Sequence, residues 1–372
     1  NALYTLAISY EGLGNYDEAL QTIDIIDKTW KRNRKKLSYC NKWIDAIKTR
    51  AWIYFIRGEY KLAEENLMKG LRFLARTKKV EEKDIKIASF YNILGAINGH
   101  LGDYKKAKNF YLKALEIFKK HRKWKDIAVI YNNITAIYSL NGDYIKAIES
   151  LENAMEIDEK YGDKLSLAIV FYNLGEIYHT LNILDVAQNY YEKYMELNKE
   201  TDNRLGYGYG NLGIGGLKML RGDFEGAEEC LKKAQRIFER LGSKVMATEA
   251  KMTLFELAIK RGDLEEATRL ENSLEKALKA GASYPWKEYF YLLQGKLHSI
   301  QGTLSEFDEN RLRIVIDRAK AAPGEIALLG GYTLLIEMLR KRGEIHEARS
   351  LLKEGLKLMS RVLRNIPKGF MR

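Results

Sequence analysis

The sequence predicts an all-α protein, a superhelical solenoid of about nine antiparallel helix pairs, and three observations carry that prediction. First, one six-residue phrase recurs: Gly, an acidic or polar residue, Tyr or another apolar residue, two variable positions, then Ala. Second, its copies begin at residues 14, 58, 102, 142, 182, 222, 262, 302 and 343, giving successive spacings of 44, 44, 40, 40, 40, 40, 40 and 41. A near-constant period of this size marks a repeat architecture. Third, the only prolines are Pro285, Pro323 and Pro367, so residues 1–284 form one proline-free stretch punctuated by glycine, as expected of many helices joined by tight turns. A solenoid grows by adding units, so 372 residues need not divide into globular domains.

Each element of the phrase has a physical duty. Gly14, Gly58, Gly102, Gly142, Gly222, Gly262, Gly302 and Gly343, with Asn182 in the fifth copy, supply the left-handed residue that ends one helix. The next residue, Asn15, Glu59, Asp103, Asp143, Asp223, Asp263 or Glu344, caps the following helix by accepting from its open amides. Ala19, Ala63, Ala107, Ala147, Ala187, Ala227, Ala267 and Ala348 let two helices approach closely, with Phe307 replacing Ala in the eighth copy. Four residues on, Ile23, Leu67, Tyr111, Leu151, Tyr191, Leu231 and Leu352 are expected to face a neighbouring helix. Seven residues before the turn stand Ala7, Ala51, Gly95, Gly175, Gly215 and Gly295, small residues at a crossing point. Tyr10, Tyr54, Tyr138 and Tyr178 recur four residues before it. Together these positions give two amphipathic helices per unit.

With those residues in view, Tyr172-Asn173-Leu174-Gly175-Glu176-Ile177-Tyr178 resembles the first helix of a tetratricopeptide repeat. Ala147-Ile148-Glu149-Ser150-Leu151-Glu152-Asn153-Ala154 resembles the second. The unit is 40 residues where the family's is usually 34, and the proline common after the second helix is missing. The longer form is similar to bacterial pheromone-peptide receptors, kinesin light chain, spindle-orientation scaffolds, and the sensor arms of large bacterial transcription regulators and kinases. The resemblance implies a right-handed superhelix with the first helices lining a concave groove, and a protein or peptide partner. It places in the groove the residues nine and ten before the turn: Asn92, Asn132, Asn133, Tyr172 and Asn173. Lys48, Trp52, His100 and Tyr209 stand at neighbouring positions of the frame. An asparagine amide offers both a donor and an acceptor to an extended backbone. The competing reading is an ordinary polar helix face.

Charge is distributed unevenly. Residues 1–125 carry 27 Lys and Arg against 14 Asp and Glu, and the remainder carries 35 against 36. Basic runs stand at Lys31–Lys36, Lys78-Lys79 and Lys119–Lys125, all at junctions between repeats. They suit an acidic protein surface; the alternative function is a nucleic-acid-contacting repeat that uses this basic third. A solvated lysine-rich surface is the simpler account.

Other signals are quieter. No apolar run reaches the roughly 18 residues of a membrane span, and no signal peptide opens the chain. Cys40 and Cys230 stand far apart in amphipathic stretches, which fits a reducing, cytoplasmic compartment. The five histidines lack metal-ligand spacing, and no nucleophile elbow or phosphate loop occurs. The expectation is a non-enzyme with no cofactor or metal. Gly208-Tyr209-Gly210-Asn211-Leu212-Gly213 spells a dinucleotide motif, but it falls inside a predicted helix, without the strand that the motif needs. Six glycines crowd that helix, from Gly206 to Gly216. Each costs roughly 1 kcal/mol there. Either another helix packs very close or the superhelix has a soft joint, and the reading favours the joint. The solenoid is expected over 1–355 and a C-terminal helix and tail over 356–372. Asn1 and the repeat-like opening read as a piece of a longer protein, with the tail packing back or leading onward.

Overall fold

The computed structural model describes residues 2–13, 15–33, 36–77, 80–162, 164–279 and 287–366. Asn1, Gly14, Arg34, Lys35, Lys78, Lys79, Pro285 and Pro367, named above, and the end of the expected tail, residues 368–372, lie outside the described residues. Among those described there are eighteen α-helices, one short 3-10 helix and no strand.

The helices form nine consecutive pairs: α1 (Ala2–Gly12) with α2 (Tyr16–Asn33), α3 (Leu37–Ile56) with α4 (Tyr60–Arg76), and α5 (Lys83–His100) with α6 (Tyr104–Lys120). Next come α7 (Trp124–Leu140) with α8 (Tyr144–Tyr161), α9 (Lys164–Thr180) with α10 (Leu184–Glu200), and α11 (Arg204–Leu220) with α12 (Phe224–Arg240). The last are α13 (Lys244–Arg261) with α14 (Leu264–Lys279), α15 (Lys287–Gln301) with α16 (Glu306–Ala321), and α17 (Gly330–Lys341) with α18 (Ile345–Leu363). The chain separates into two compact units, 1–137 and 138–372, and the division falls inside α7.

The turn phrase behaves as its chemistry requires. Gly58, Gly102, Gly142, Gly222, Gly262, Gly302 and Gly343 have φ between +72° and +83°, and Asn182 has +60°. At Gly142 the amide bonds Ser139 O at 2.8 Å and the next amide, of Asp143, reaches Tyr138 O at 2.9 Å, the paired bonds that close a helix end. The same bond forms at the other turns whatever residue stands four before the turn, as at Asn98, Lys218 and Ala258, so it does not account for the tyrosine there. Asp103, Asp223 and Asp263 then accept from the third amide of the next helix at 3.0, 3.0 and 3.1 Å. The longer side chains of Glu59 and Glu344 make no such cap.

A second set of left-handed residues was invisible in the sequence. Glu82, Arg122, Asp202 and Gly242 all have positive φ and recur at the loops between pairs. Only one is glycine, so the others carry no compositional mark.

Small residues do allow close helix crossing. A Cβ on Gly95 would lie 2.6 Å from Tyr111, and one on Gly175 2.7 Å from Tyr191. The same holds for the glycine-rich α11. A Cβ on Gly206 would meet Asn198 at 1.9 Å, on Gly208 Phe238 at 2.3 Å and on Gly210 Met195 at 2.0 Å. On Gly213 it would meet Tyr191, on Gly215 Leu231 and on Gly216 His179, all below 3 Å. All six glycines are therefore explained by side chains of adjacent helices seated against α11, and a soft joint is not needed to account for them. The dinucleotide-like hexapeptide sits in mid-helix, with no helix N-terminus to meet a phosphate.

Two predicted packing positions are overturned. In the eighth pair Phe307 is 57% exposed and does not occupy the alanine position. A Ser305–Asp308 capping box starts α16 late, moving the frame by one residue. Asp308 takes the buried slot and Leu312 packs over Gly295. In the ninth, Leu352 is 49% exposed, because α18 has no described helix pair beyond it to cover that side. The helix α18 runs unbroken across residue 355.

The described end of the chain packs back. Ile145 N–H donates to Asn365 O at 3.3 Å and Gly324 N–H to Leu140 O at 2.9 Å. The buried Tyr144 hydroxyl donates to Gly324 O, and Val362, otherwise on an exposed helix, is buried beside Gly142.

Candidate functional site

The sequence-predicted residues fall on first helices in both units: Lys48 on α3, Asn92 on α5, Asn132 and Asn133 on α7, Tyr172 and Asn173 on α9, and Tyr209 on α11. Lys48 is exposed and the rest are half-buried. In the first unit the fold joins two of them, since Asn133 Nδ2 donates to Asn92 Oδ1 at 2.9 Å. Lys48 makes no hydrogen bond to these amides among the described residues; its charge acts on Asp126, whose carboxyl burial pushes upward. Trp52 stacks on Phe55 at 5.2 Å, and His100 packs edge-on against the same ring at 5.0 Å.

In the second unit, Tyr172 and Tyr209 meet edge to face at 5.5 Å. Tyr172 also packs on Tyr194 at 5.1 Å, and Tyr209 on Phe238 at 5.3 Å. Burial holds the Tyr172 hydroxyl far above its usual range, and the nearby carboxylates of Glu176 and Glu249 push the same way. Tyr209 is pushed up to about 12 by burial and then by Glu249. These phenols stay protonated, acting as donors and as ring surfaces.

Sequence reasoning missed the two carboxylates. Glu176 on α9 accepts a hydrogen bond from the Tyr191 hydroxyl, and His179 Nδ1 lies 3.3 Å from that hydroxyl. Glu249 on α13 has its carboxyl pushed up to about 7, first by burial and then by the charge of Glu176. A signal existed: Glu176 stands six residues before its turn residue and Glu249 thirteen, as does Tyr209. Positions thirteen, ten, nine and six before the turn form one i, i+3, i+4, i+7 stripe, and only its middle was read.

The basic runs are partly compensated. Lys31 pairs with Asp27 at 3.7 Å, His121 Nε2 lies 3.5 Å from Asp84, and Lys123 bonds Glu82 at 2.9 Å. Among the described residues no group of His, Cys, Asp and Glu has the arrangement of a metal site, and no helix is long and apolar enough to cross a membrane.

Three family models, each described as tetratricopeptide repeat, match residues 126–200, 88–121 and 1–26. The fold is similar to that of a Rap protein solved in complex with competence and sporulation factor, with TM-score 0.70, 14% identity and 98% of each chain covered. It is also similar to the apo quorum sensor NprR from B. thuringiensis, with TM-score 0.61, 14% identity, and 96% of this chain and 98% of that one covered. The Rap conjugation gene regulator of plasmid pLS20, in complex with the Phr* peptide, gives 0.60, 15%, 87% and 96%. No curated protein sequence matches the chain. At these identities the likeness is one of fold.

Proposed function

Starting from the chain's membership of the tetratricopeptide repeat superfamily, we propose that it is a scaffold binding a peptide or extended protein segment on the inner stripe of its first helices. We read it as the interaction or sensor region of a larger bacterial signalling or transcription-regulatory protein, working in the cytoplasm without chemistry of its own. The observation that carries this is the Asn133–Asn92 bond. It sets two amides side by side on consecutive first helices, and each amide has more donors and acceptors than that one bond uses. An extended backbone presents the matching groups at regular intervals. Two of the similar folds were solved with a factor or peptide bound, which supports the reading by analogy of architecture.

The test is peptide capture. The protein is incubated with a bacterial peptide extract, separated by gel filtration, and the co-eluting peptides are identified by mass spectrometry. The wild type is expected to retain a defined set that an Asn132/Asn133/Asn173→Ala variant loses while keeping its helical circular dichroism. Identical sets would remove the asparagines from the site. An empty wild-type fraction, with no protein segment captured either, would refute the function.

A further inference from the structure

The seventh helix pair breaks the repeat at one position. Eleven residues before the turn, five pairs carry an aromatic ring: Tyr91, Tyr131, Phe171, Tyr291 and Tyr332. Lys251 is the one charged residue at that position. Where the ring is present it packs on the second helix of its own pair, with a lysine over it. Tyr91 lies 5.7 Å from Phe110, and Lys113 Nζ is 5.8 Å from the Tyr91 ring. Phe171 lies 6.1 Å from Tyr190, and Lys193 Nζ is 5.6 Å from the Phe171 ring. In the seventh pair the same three positions are Lys251, Leu270 and Ser273. The ring has become an ammonium-tipped chain and the covering lysine a short hydroxyl. With that bulk gone, a cavity of about 200 Å³ opens, lined by all three residues.

This cavity faces away from the inner stripe. Its α13 residues Lys251, Leu254, Leu257 and Ala258 stand eleven, eight, five and four before the turn. They lie on the opposite side of the helix from the positions thirteen, ten, nine and six before it. The other walls come from the second helices α12 and α14. Leu254, Leu257, Ala258 and Leu270 are buried and give the cavity an apolar floor. Its other charges are already committed. Glu228 holds Lys232 at 2.5 Å and Arg261 at 3.0 Å, and Glu266 holds Arg269 at 2.5 Å. Asp263 caps α14 by accepting from the Glu266 amide at 3.1 Å. Half-buried Lys251 donates to Ser273 Oγ at 3.1 Å, and among the described residues it has no carboxylate in ion-pair contact. The lining therefore holds four cations against three acids, and the excess charge is Lys251.

A half-buried ammonium whose partner is a neutral hydroxyl gains from an incoming anion. One excess charge is balanced by a monoanion, whereas the flanking carboxylates of Glu228 and Glu266 oppose a dianion such as phosphate. The apolar floor favours a hydrocarbon body on that anion. We propose that this outer cavity binds a small aliphatic monocarboxylate, its carboxylate on Lys251 Nζ and Ser273 Oγ and its chain over Leu254, Leu257 and Leu270. The site is separate from the inner stripe and stands whether or not that stripe takes a peptide. Its volume is below the roughly 300–1,000 Å³ of sites for drug-sized ligands. At roughly 30 Å³ per water-sized group, it suits an acid of about four or five carbons.

The probes are butyrate and its neutral isostere butyramide, titrated into protein with ¹³C-labelled leucine methyls. Butyrate is expected to shift the Leu254, Leu257 and Leu270 methyls saturably, with a Kd of about 1 mM or tighter. Butyramide should bind about tenfold or more weakly, having the shape without the charge. Lys251→Met keeps the stem and removes the charge, so butyrate should fall to the butyramide level while helical circular dichroism is unchanged. Lys251→Tyr restores the ring of the other pairs and should abolish binding of both probes. Equal affinity of the two probes for the wild type overturns the proposal, as does butyrate binding that survives either substitution. Absence of saturable shifts at these three leucines up to about 50 mM butyrate also overturns it, and that result is read on the wild type, whatever the variants do.

Discussion

Raising the pH should loosen the eighth helix pair through one histidine. His298 on α15 lies between two buried acids, with Nε2 3.0 Å from Glu271 on α14 and Nδ1 2.7 Å from Asp308 on α16. The bond to Glu271, working against burial and joined by the bond to Asp308, pushes the imidazole up to about 9. Its ordinary value is 6.5, so the shift corresponds to a ceiling of about 3 kcal/mol. The side chain is only 21% exposed, so solvent screening removes little of this. The folded-state value is the raised one. The stabilisation is therefore complete below about pH 6.5 and disappears as pH climbs through about 9. The perturbation is His298→Gln. Urea unfolding of both proteins should be followed from pH 6 to pH 10, together with amide exchange in α15 and α16, because repeat arrays open locally. The wild type should exceed the variant by about 3 kcal/mol at pH 6, and the gap should narrow steadily above pH 7. A gap of constant size across the range would refute the reasoning.

Other predictions are briefer. Glu249→Gln should stabilise the protein by about 1–3 kcal/mol at pH 8 and have little effect below pH 4.5, since the raised carboxyl weakens the fold only as it ionises; thermal melts at the two pH values check the sign. Gly208→Ala should cost about 1–3 kcal/mol through its clash with Phe238, despite alanine's better helix propensity. Gly12→Ala, with no atom within 4 Å of the new methyl, should be neutral or stabilising by up to about 1 kcal/mol in the same melts. Tyr144→Phe should cost about 1 kcal/mol and speed exchange of the Gly324 amide, whereas unchanged exchange would mean that the contact closing the second unit does not hold in solution.

Much of the fold was legible because the turn needs residues that composition reveals. Glycine or asparagine closes a helix, a short acid caps the next, and alanine marks the crossing. Where a turn used ordinary residues, as at Glu82, Arg122 and Asp202, the sequence was silent. The eighth pair deceived the reading because Ser305 and Asp308 built a competing helix start, displacing Phe307 to the surface. In α11 the glycine count was legible but its cause was not: the partners are Phe238, Met195 and Tyr191 on flanking helices, which local sequence cannot name. Of the candidate site, the sequence reading named Asn92, Asn133, Tyr172 and Tyr209, while Glu176 and Glu249, which act on Tyr172, were not singled out.

By itself, then, the sequence determined the repeat: its period, the residues that end the first helix of most pairs, and the small residues at the crossings. It could do so because those requirements are local, set by backbone angle, amide capping and side-chain size over a few residues. Tertiary structure decided how the units sum. Small rotations between successive pairs add up until Tyr144 meets Gly324 and Glu249 comes under the charge of Glu176, and no local pattern encodes an angle that exists only between neighbours.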